Sequence, residues 1–303
     1  MNHQMKIAGV LGATSLVGQV LLPRLLDEGW TVIAYSRRHP LPLATSGVRW
    51  RKPTRDAIRH DGGERAIRYW VCAAPIWVLP DYFPYLKSCG AEKIVAVSST
   101  SIRVKETSGD AGERQIAARL AQGEKKLAVW AASQNVKYAI LRPTLIYGYG
   151  LDANVSAIAR FIQAFSFFPL AGPACGLRQP VHADDVVQAC LSALTSETAD
   201  ERVYHISGGD TLTYREMVSR IFFALGKKEH YLHLPAWLPA AVLRLLRPAG
   251  LLRRYSPAMI GRMNADLVFD HDAARRDLGF SPRPFRPCRE DVHSGSSRGE
   301  ASR

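Results

Sequence analysis

The chain has 303 residues, 47% of them hydrophobic and 22% charged; that is too apolar for a disordered chain and suits one large domain or two small ones. Forty basic against 27 acidic side chains leave a formal charge of +13. No run of about 18 uncharged apolar residues is present to span a membrane, and five scattered cysteines without a Cys-x-x-Cys pair argue against a disulfide framework.

In chain order, the first element is the short apolar run Met5–Leu11. The turn Gly12-Ala13-Thr14-Ser15-Leu16-Val17-Gly18 follows, then a helical spacing of Val20, Leu21 and Leu25 that stops at Gly29. Trp30–Tyr35 is a second β-forming run and ends in Ser36-Arg37-Arg38. Strand, glycine-bearing turn, helix and strand make a βαβ unit. Further strands are expected at Arg68–Ala74, at Lys93–Val97 and at Tyr138–Leu141, the last stopped by Arg142-Pro143. Between them lie a helix over Leu79–Cys89 and a long amphipathic helix over 112–134. The alternation predicts an α/β fold, a Rossmann-type doubly wound parallel sheet covered on both faces, with ligands beyond the carboxyl ends of its strands.

After residue 150 the rhythm changes. A helix is expected over Val155–Phe168, a strand at Val203–Ile206 and a helix over Thr213–Leu225, with Thr213 and Glu216 as a capping box. Residues 1–150 and 181–206 are read as the nucleotide domain, 151–180 and 207–288 as a smaller C-terminal substrate domain, and 289–303 as a disordered tail. Residues 234–255 are apolar with regular arginines and are broken by Pro235, Pro239 and Pro248, which suits a lid or core packing over the cleft.

The glycines at 12 and 18 let the backbone approach a pyrophosphate, and the helix N-terminus behind them supplies free N–H donors and a favourable dipole. The strand before and the helix after the turn give the pattern its context. At the end of the second strand a carboxylate would accept from the ribose 2′-OH of NAD. Ser36, Arg37 and Arg38 suit a 2′-phosphate instead, so NADP is favoured over NAD. The basic clusters at 37–59 and 244–262 have no interleaved aromatics as a nucleic-acid stacking platform requires. The amino-terminal stretch lacks a signal-peptide cleavage region, and a reduced, cytoplasmic protein is expected. His230 and His233 lack a third metal ligand at a known spacing. Neither a Gly-x-Ser-x-Gly elbow nor a Walker A loop occurs.

Over roughly residues 5–288 the chain resembles an extended short-chain dehydrogenase/reductase of the nucleotide-sugar epimerase and dehydratase group. Members of that family open with Gly-Ala-Thr-Gly-x-x-Gly; here Ser15 replaces the middle glycine. Val97-Ser98-Ser99-Thr100 resembles the strand end that carries the catalytic Ser/Thr, with Thr100 in that place. Leu141–Gly148, which includes Pro143, resembles the segment passing the nicotinamide. Arg178–Asp185 resembles the segment whose arginine contacts a sugar-nucleotide phosphate, with Asp185 capping the next helix, and Arg262 sits where a second such arginine is found. The resemblance implies cofactor contacts at Gly12, Thr14, Ser15, Leu16, Val17, Gly18, Ser36, Arg37, Arg38, Ala73, Ala74, Pro75, Ser98, Ser99 and Pro143. It implies substrate contacts at Asn154, Arg178 and Arg262, and a small phosphorylated substrate. Neither nucleic acid nor an integral membrane segment is implied, and a homodimer is compatible with the pattern.

One motif fails. The family's Tyr-x-x-x-Lys belongs on the helix after Thr100, and counting back from Glu124 places Ile116 and Leu120 there. No tyrosine lies between Tyr85 and Tyr138, so no shift of register restores it; a loop elsewhere could supply a group, with Tyr147 and Tyr149 as candidates, and the proton-moving group stays unidentified. Three functions stay open: an epimerase/dehydratase-like oxidoreductase, a non-catalytic NADP(H) scaffold or redox sensor, and a reductase of a hydrophobic substrate suited to the apolar stretches 151–170 and 234–252.

Overall fold

The computed structural model describes residues 6–37, 46–52, 67–235 and 262–293. Seven strands form one parallel sheet: β1 (Ile7–Leu11), β2 (Thr31–Tyr35), β3 (Val48–Arg51), β4 (Tyr69–Cys72), β5 (Lys93–Val97), β6 (Lys137–Pro143) and, late in the chain, β11 (Arg202–Ile206). Their spatial order is β11-β6-β5-β4-β1-β2-β3. Chain order therefore runs outward in one direction from β1 to β3 and in the other from β4, so β1 and β4 flank the point where the winding reverses.

The central strands read as continuous apolar runs because both faces are covered; all five residues of β5 are buried. On one face, helices α1 (Leu16–Asp27) and α6 (Ala183–Thr195) bring Val17, Leu21, Leu25, Val186, Cys190 and Leu194 against Val10, Val32, Val95 and Leu141. On the other, a 3-10 segment (Ile76–Tyr82), α2 (Phe83–Ser88) and α4 (Ala111–Gln134) pack Leu79, Leu86, Leu120, Leu127 and Ala131 against Trp70, Ile94 and Ile140. The short helix α3 (Ser101–Lys105) leads from β5 into α4.

A second core lies beyond the sheet. It unites Tyr147 with α5 (Val155–Phe165), β8 (Phe168–Ala171), α7 (Tyr214–Ala224), Phe285 and Val292. Three two-stranded pairs brace this region: β7 (Ile146–Tyr147) with β10 (Val181–His182), β9 (Leu177–Arg178) with β12 (Leu212–Thr213), and β8 with β13 (Tyr231–Leu234). The capping box at Thr213 and Glu216 opens α7 as expected.

The structure departs from the sequence reading in several places. The stretch Leu79–Cys89 begins earlier, as a 3-10 segment from Ile76, because Pro80 lacks the N–H a regular helix needs. Residues 289–293 are not a disordered tail. Arg289–Val292 is a helical turn with Asp291 and Val292 buried, because both side chains find partners in the second core and in His182. His182, not Asp185, caps α6: its Nδ1 accepts from the Asp184 N–H, while Asp185 in the first turn binds the backbone N–H and Nε of Arg283. Arg38, most of 234–255 and residues 294–303 lie outside the described residues.

Candidate functional site

Gly12 leaves β1 with φ +77°, and a Cβ there would lie 2.3 Å from the backbone nitrogen of Ala74. Only glycine lets this turn press against the exit of β4. A Cβ on Gly18 would lie 2.4 Å from the carbonyl oxygen of Gly12, so the first turn of α1 also sits directly on the loop. Ser15, the departure from the glycine pattern, is the N-cap of α1; its hydroxyl accepts from the Gly18 N–H at 3.0 Å. The side chain is thereby folded onto the helix, and its Cβ is accommodated by helix capping. The Thr14 hydroxyl meets the Ser36 hydroxyl at 3.4 Å. The turn, the end of β2 and Ala73–Pro75 thus converge at the winding reversal, with Arg37 exposed beside them. The N–H groups at the start of α1, from Leu16 and Val17, belong to the set that a helix leaves without intrahelical acceptors.

The next strand ends are tied down by a carboxylate that sequence reading used only as a landmark. Glu124 on α4 accepts from the Ser98 hydroxyl at 2.5 Å and from Arg142 Nε at 3.0 Å, with a second bond from Arg142 Nη2. Thr100 is buried; its N–H and its hydroxyl both donate to the Pro143 carbonyl, at 3.1 and 3.2 Å. The Ser99 hydroxyl accepts from the Ser101 N–H at 3.1 Å. Ser98, Ser99, Thr100 and Pro143 therefore form one clasped unit at the carboxyl ends of β5 and β6.

Across from it, α4 presents Ile116, 37% exposed, and Leu120, buried. Tyr147, a candidate for the missing acid, is taken into the second core. It is 1% exposed, wedged edge-on between His182 and Phe285, and burial pushes its phenol pKa up, away from proton transfer near neutrality. A β-paired, aromatic residue of this size is taken into the second core. Tyr149 donates its hydroxyl to Asp184 at 2.6 Å.

The expected substrate arginines are engaged within the protein. Arg178, 4% exposed, donates to the carbonyls of Leu177 and Ala265 at 2.7 Å each and to that of Arg262, and lies over the Tyr214 ring. It fastens the 262–265 segment to β9. Arg262 in turn donates to Glu113 Oε2 at 2.5 Å, and Ser108 donates to the same oxygen at 2.7 Å. Asn154 precedes α5 and is exposed, without a side-chain capping bond. The structure thus joins Arg178 and Arg262 through the latter's backbone carbonyl, but brings neither to Tyr147.

The model of the NAD dependent epimerase/dehydratase family matches residues 84–207. The chain is 24% identical over 225 residues to the short-chain dehydrogenase/reductase family 42E member 1 of Bos taurus, covering 70% of this chain and half of that protein. The chain is similar to extended short-chain dehydrogenases/reductases. Another similar protein is the uncharacterized protein y4nG of Sinorhizobium fredii, 25% identical over 93% of this chain and 76% of its own length. The UDP-glucuronic acid 4-epimerase of Bacillus cereus, solved with UDP-glucuronic acid and NAD, has the same fold, with a TM-score of 0.66 at 16% identity over 91% of this chain and 94% of its own. Within this fold, the Gly12 turn stands at the β1/β4 reversal, where open α/β sheets hold their ligands.

Proposed function

We propose that the chain binds NADP(H) at the Gly12–Gly18 turn and acts as an oxidoreductase of the epimerase/dehydratase type on a hydroxyl-bearing small molecule. The observation that carries this reading is the turn itself: a glycine at φ +77° at the winding reversal, backed by the N-terminus of a 12-residue helix. The residues fit a dinucleotide. The N–H groups of the first turn of α1 would take the pyrophosphate. Thr14, Ser36 and Arg37 offer two hydroxyls and a guanidinium to a 2′-phosphate. Ala73–Pro75 would border the middle of the ligand.

Nicotinamide, when bound, supplies a hydride donor or acceptor. The chain's own part is then to orient and exclude. Thr100 would exchange the bond its hydroxyl gives the Pro143 carbonyl for one to the reacting oxygen, its backbone N–H staying on that carbonyl. Ile116 and Leu120 form an apolar wall that keeps water from the reacting face. A site without a positioned acid–base pair forgoes roughly 10²–10⁴-fold in rate, so turnover is expected to be slow. The named relatives support a nucleotide-linked sugar as substrate; such a ligand would have to draw Arg262 away from Glu113.

Ile116 and Leu120 also favour a second reading, an NADP(H)-binding scaffold or sensor without turnover. Purified protein with NADP⁺ or NADPH, screened against UDP-sugars and free polyols by reduced-nicotinamide absorbance and product analysis, separates the two. A substrate-dependent change or an isomerised product supports the enzyme. Nucleotide binding with neither supports the scaffold, and no binding overturns both.

A further inference from the structure

Helix α4 runs antiparallel to the strands it crosses between, so its first turn stands beyond their carboxyl ends. Glu124 is level with those ends, where it holds Ser98. Glu113 precedes it by a length of helix of about 16 Å. It is therefore placed over the crevice outside the sheet, where ligands of such folds lie. There its carboxylate meets Arg262, whose backbone carbonyl accepts from Arg178. The pair joins α4, which packs on the sheet, to the segment of Met263, which packs on the second core.

Glu113 is 8% exposed, and its position is built rather than incidental. Asp110 caps its backbone N–H at 3.1 Å, and Ser108 donates to the oxygen that also takes Arg262. Burial on its own would raise the Glu113 carboxyl pKa; the bonds from Arg262 and Ser108 overcome this and hold it below the usual value. Half-buried Lys105 is close enough for its charge to act on Glu113, and Arg262 in turn acts on Lys105. Among the described residues, Arg262 and Lys105 are the cations that act on the Glu113 carboxylate. With the carboxylate in place, Arg262 already has an anion. Without it, Arg262 would lose the carboxylate it is paired with.

We propose that Glu113 is a specificity-determining residue: it occupies Arg262 as an internal anion, so that the cleft prefers an uncharged, hydroxyl- or carbonyl-bearing substrate over a phosphorylated one. This rests on the proposed nicotinamide-dependent function and names the substrate class of the same cleft. The pair is the barrier that a phosphate would have to break, because an entering phosphate must both displace a buried carboxylate and leave it beside a second negative charge.

The experiment is calorimetric titration of UDP, and separately of NADP⁺, into the full chain, into Glu113→Gln and into the double variant Glu113→Gln/Arg262→Ala. UDP is expected to bind the wild type weakly and Glu113→Gln at least tenfold more tightly. The gain should vanish in the double variant, and NADP⁺ affinity should be unchanged throughout. Glu113→Ala replaces the glutamine variant if melting shows that it is not folded. Low-micromolar UDP binding by the wild type, an unchanged or weaker affinity in the variant, or a gain that survives loss of Arg262 would overturn the proposal. Failure of the nicotinamide reading is seen separately, as absence of NADP⁺ binding, whatever UDP does.

Discussion

His182 Nε2 lies 3.1 Å from Asp291 Oδ1 across 109 residues of chain, and the contact docks the helical turn Arg289–Val292 against the start of α6. Asp291 also accepts from the Tyr149 N–H at 3.2 Å and the Cys288 N–H at 2.9 Å. Burial alone would lower the His182 pKa, but Asp184 and Asp291 outweigh it and raise it to about 9. When its Nδ1 is protonated it faces Asp184 Oδ2 at 3.4 Å; when bare, it accepts the Asp184 N–H at 3.2 Å. The ion pair and the helix cap are therefore alternatives, chosen by one proton.

The pH dependence of stability follows. A histidine with an ordinary value of 6.5 raised to about 9 in the folded state contributes fully below 6.5, and that contribution is lost as pH rises through 9. The upper bound is about 3 kcal/mol. Asp291 is held below its ordinary value despite burial, by His182 and the Cys288 N–H first, so its contribution is lost in acid instead. Urea midpoints should fall between pH 6.5 and 9.5 in the wild type. In Asp291→Asn the midpoint should start lower and change less over that range.

Glu124→Ala should destabilise the fold by about 3–5 kcal/mol, because it leaves the Arg142 guanidinium and the Ser98 hydroxyl without their buried partner. Equilibrium urea denaturation measures this. The same variant should weaken NADP⁺ binding, since Ser98 loses its anchor.

Arg37→Ala should leave stability unchanged, as the side chain is exposed. It should cost about 1.5–3 kcal/mol of NADP⁺ affinity, the scale of a hydrogen bond to a charged group, and almost none of NAD⁺ affinity. Parallel thermal-shift titrations with the two nucleotides read the difference. Equal shifts by both in the wild type would defeat the 2′-phosphate assignment.

Gly12→Ala should lower stability by at least about 1–2 kcal/mol, the cost of a left-handed residue with a Cβ. The clash with Ala74 adds to this. Nucleotide binding should be lost with it.

The elements of the sheet could be read from the chain because their signals are local. Runs such as Lys93–Val97 and turns such as Gly12–Gly18 carry their own period and punctuation. β3 was not legible: Val48–Arg51 alternates intermediate and exposed residues, and its arginines read as a basic cluster because an edge strand needs apolar residues on one face only. β13 was missed for the same reason, as Tyr231–Leu234 is a short edge that needs β8 beside it. The candidate site divides likewise. Gly12, Ser36 and Thr100 follow strand ends and could be placed by pattern. Glu113–Arg262, Glu124–Arg142 and His182–Asp291 join residues far apart in sequence, and no spacing encodes such pairs. The burial of Tyr147 was not legible because it depends on Phe285, a residue of the closing segment.

The central claim is that a dinucleotide lies on the turn between β1 and α1. Hydrogen–deuterium exchange on the full chain, with and without saturating NADP⁺, tests it most directly. Protection is expected in peptides covering residues 12–18 and 36–37, with weaker protection at 73–75. Unchanged exchange at 12–18, with or without protection elsewhere, would contradict it.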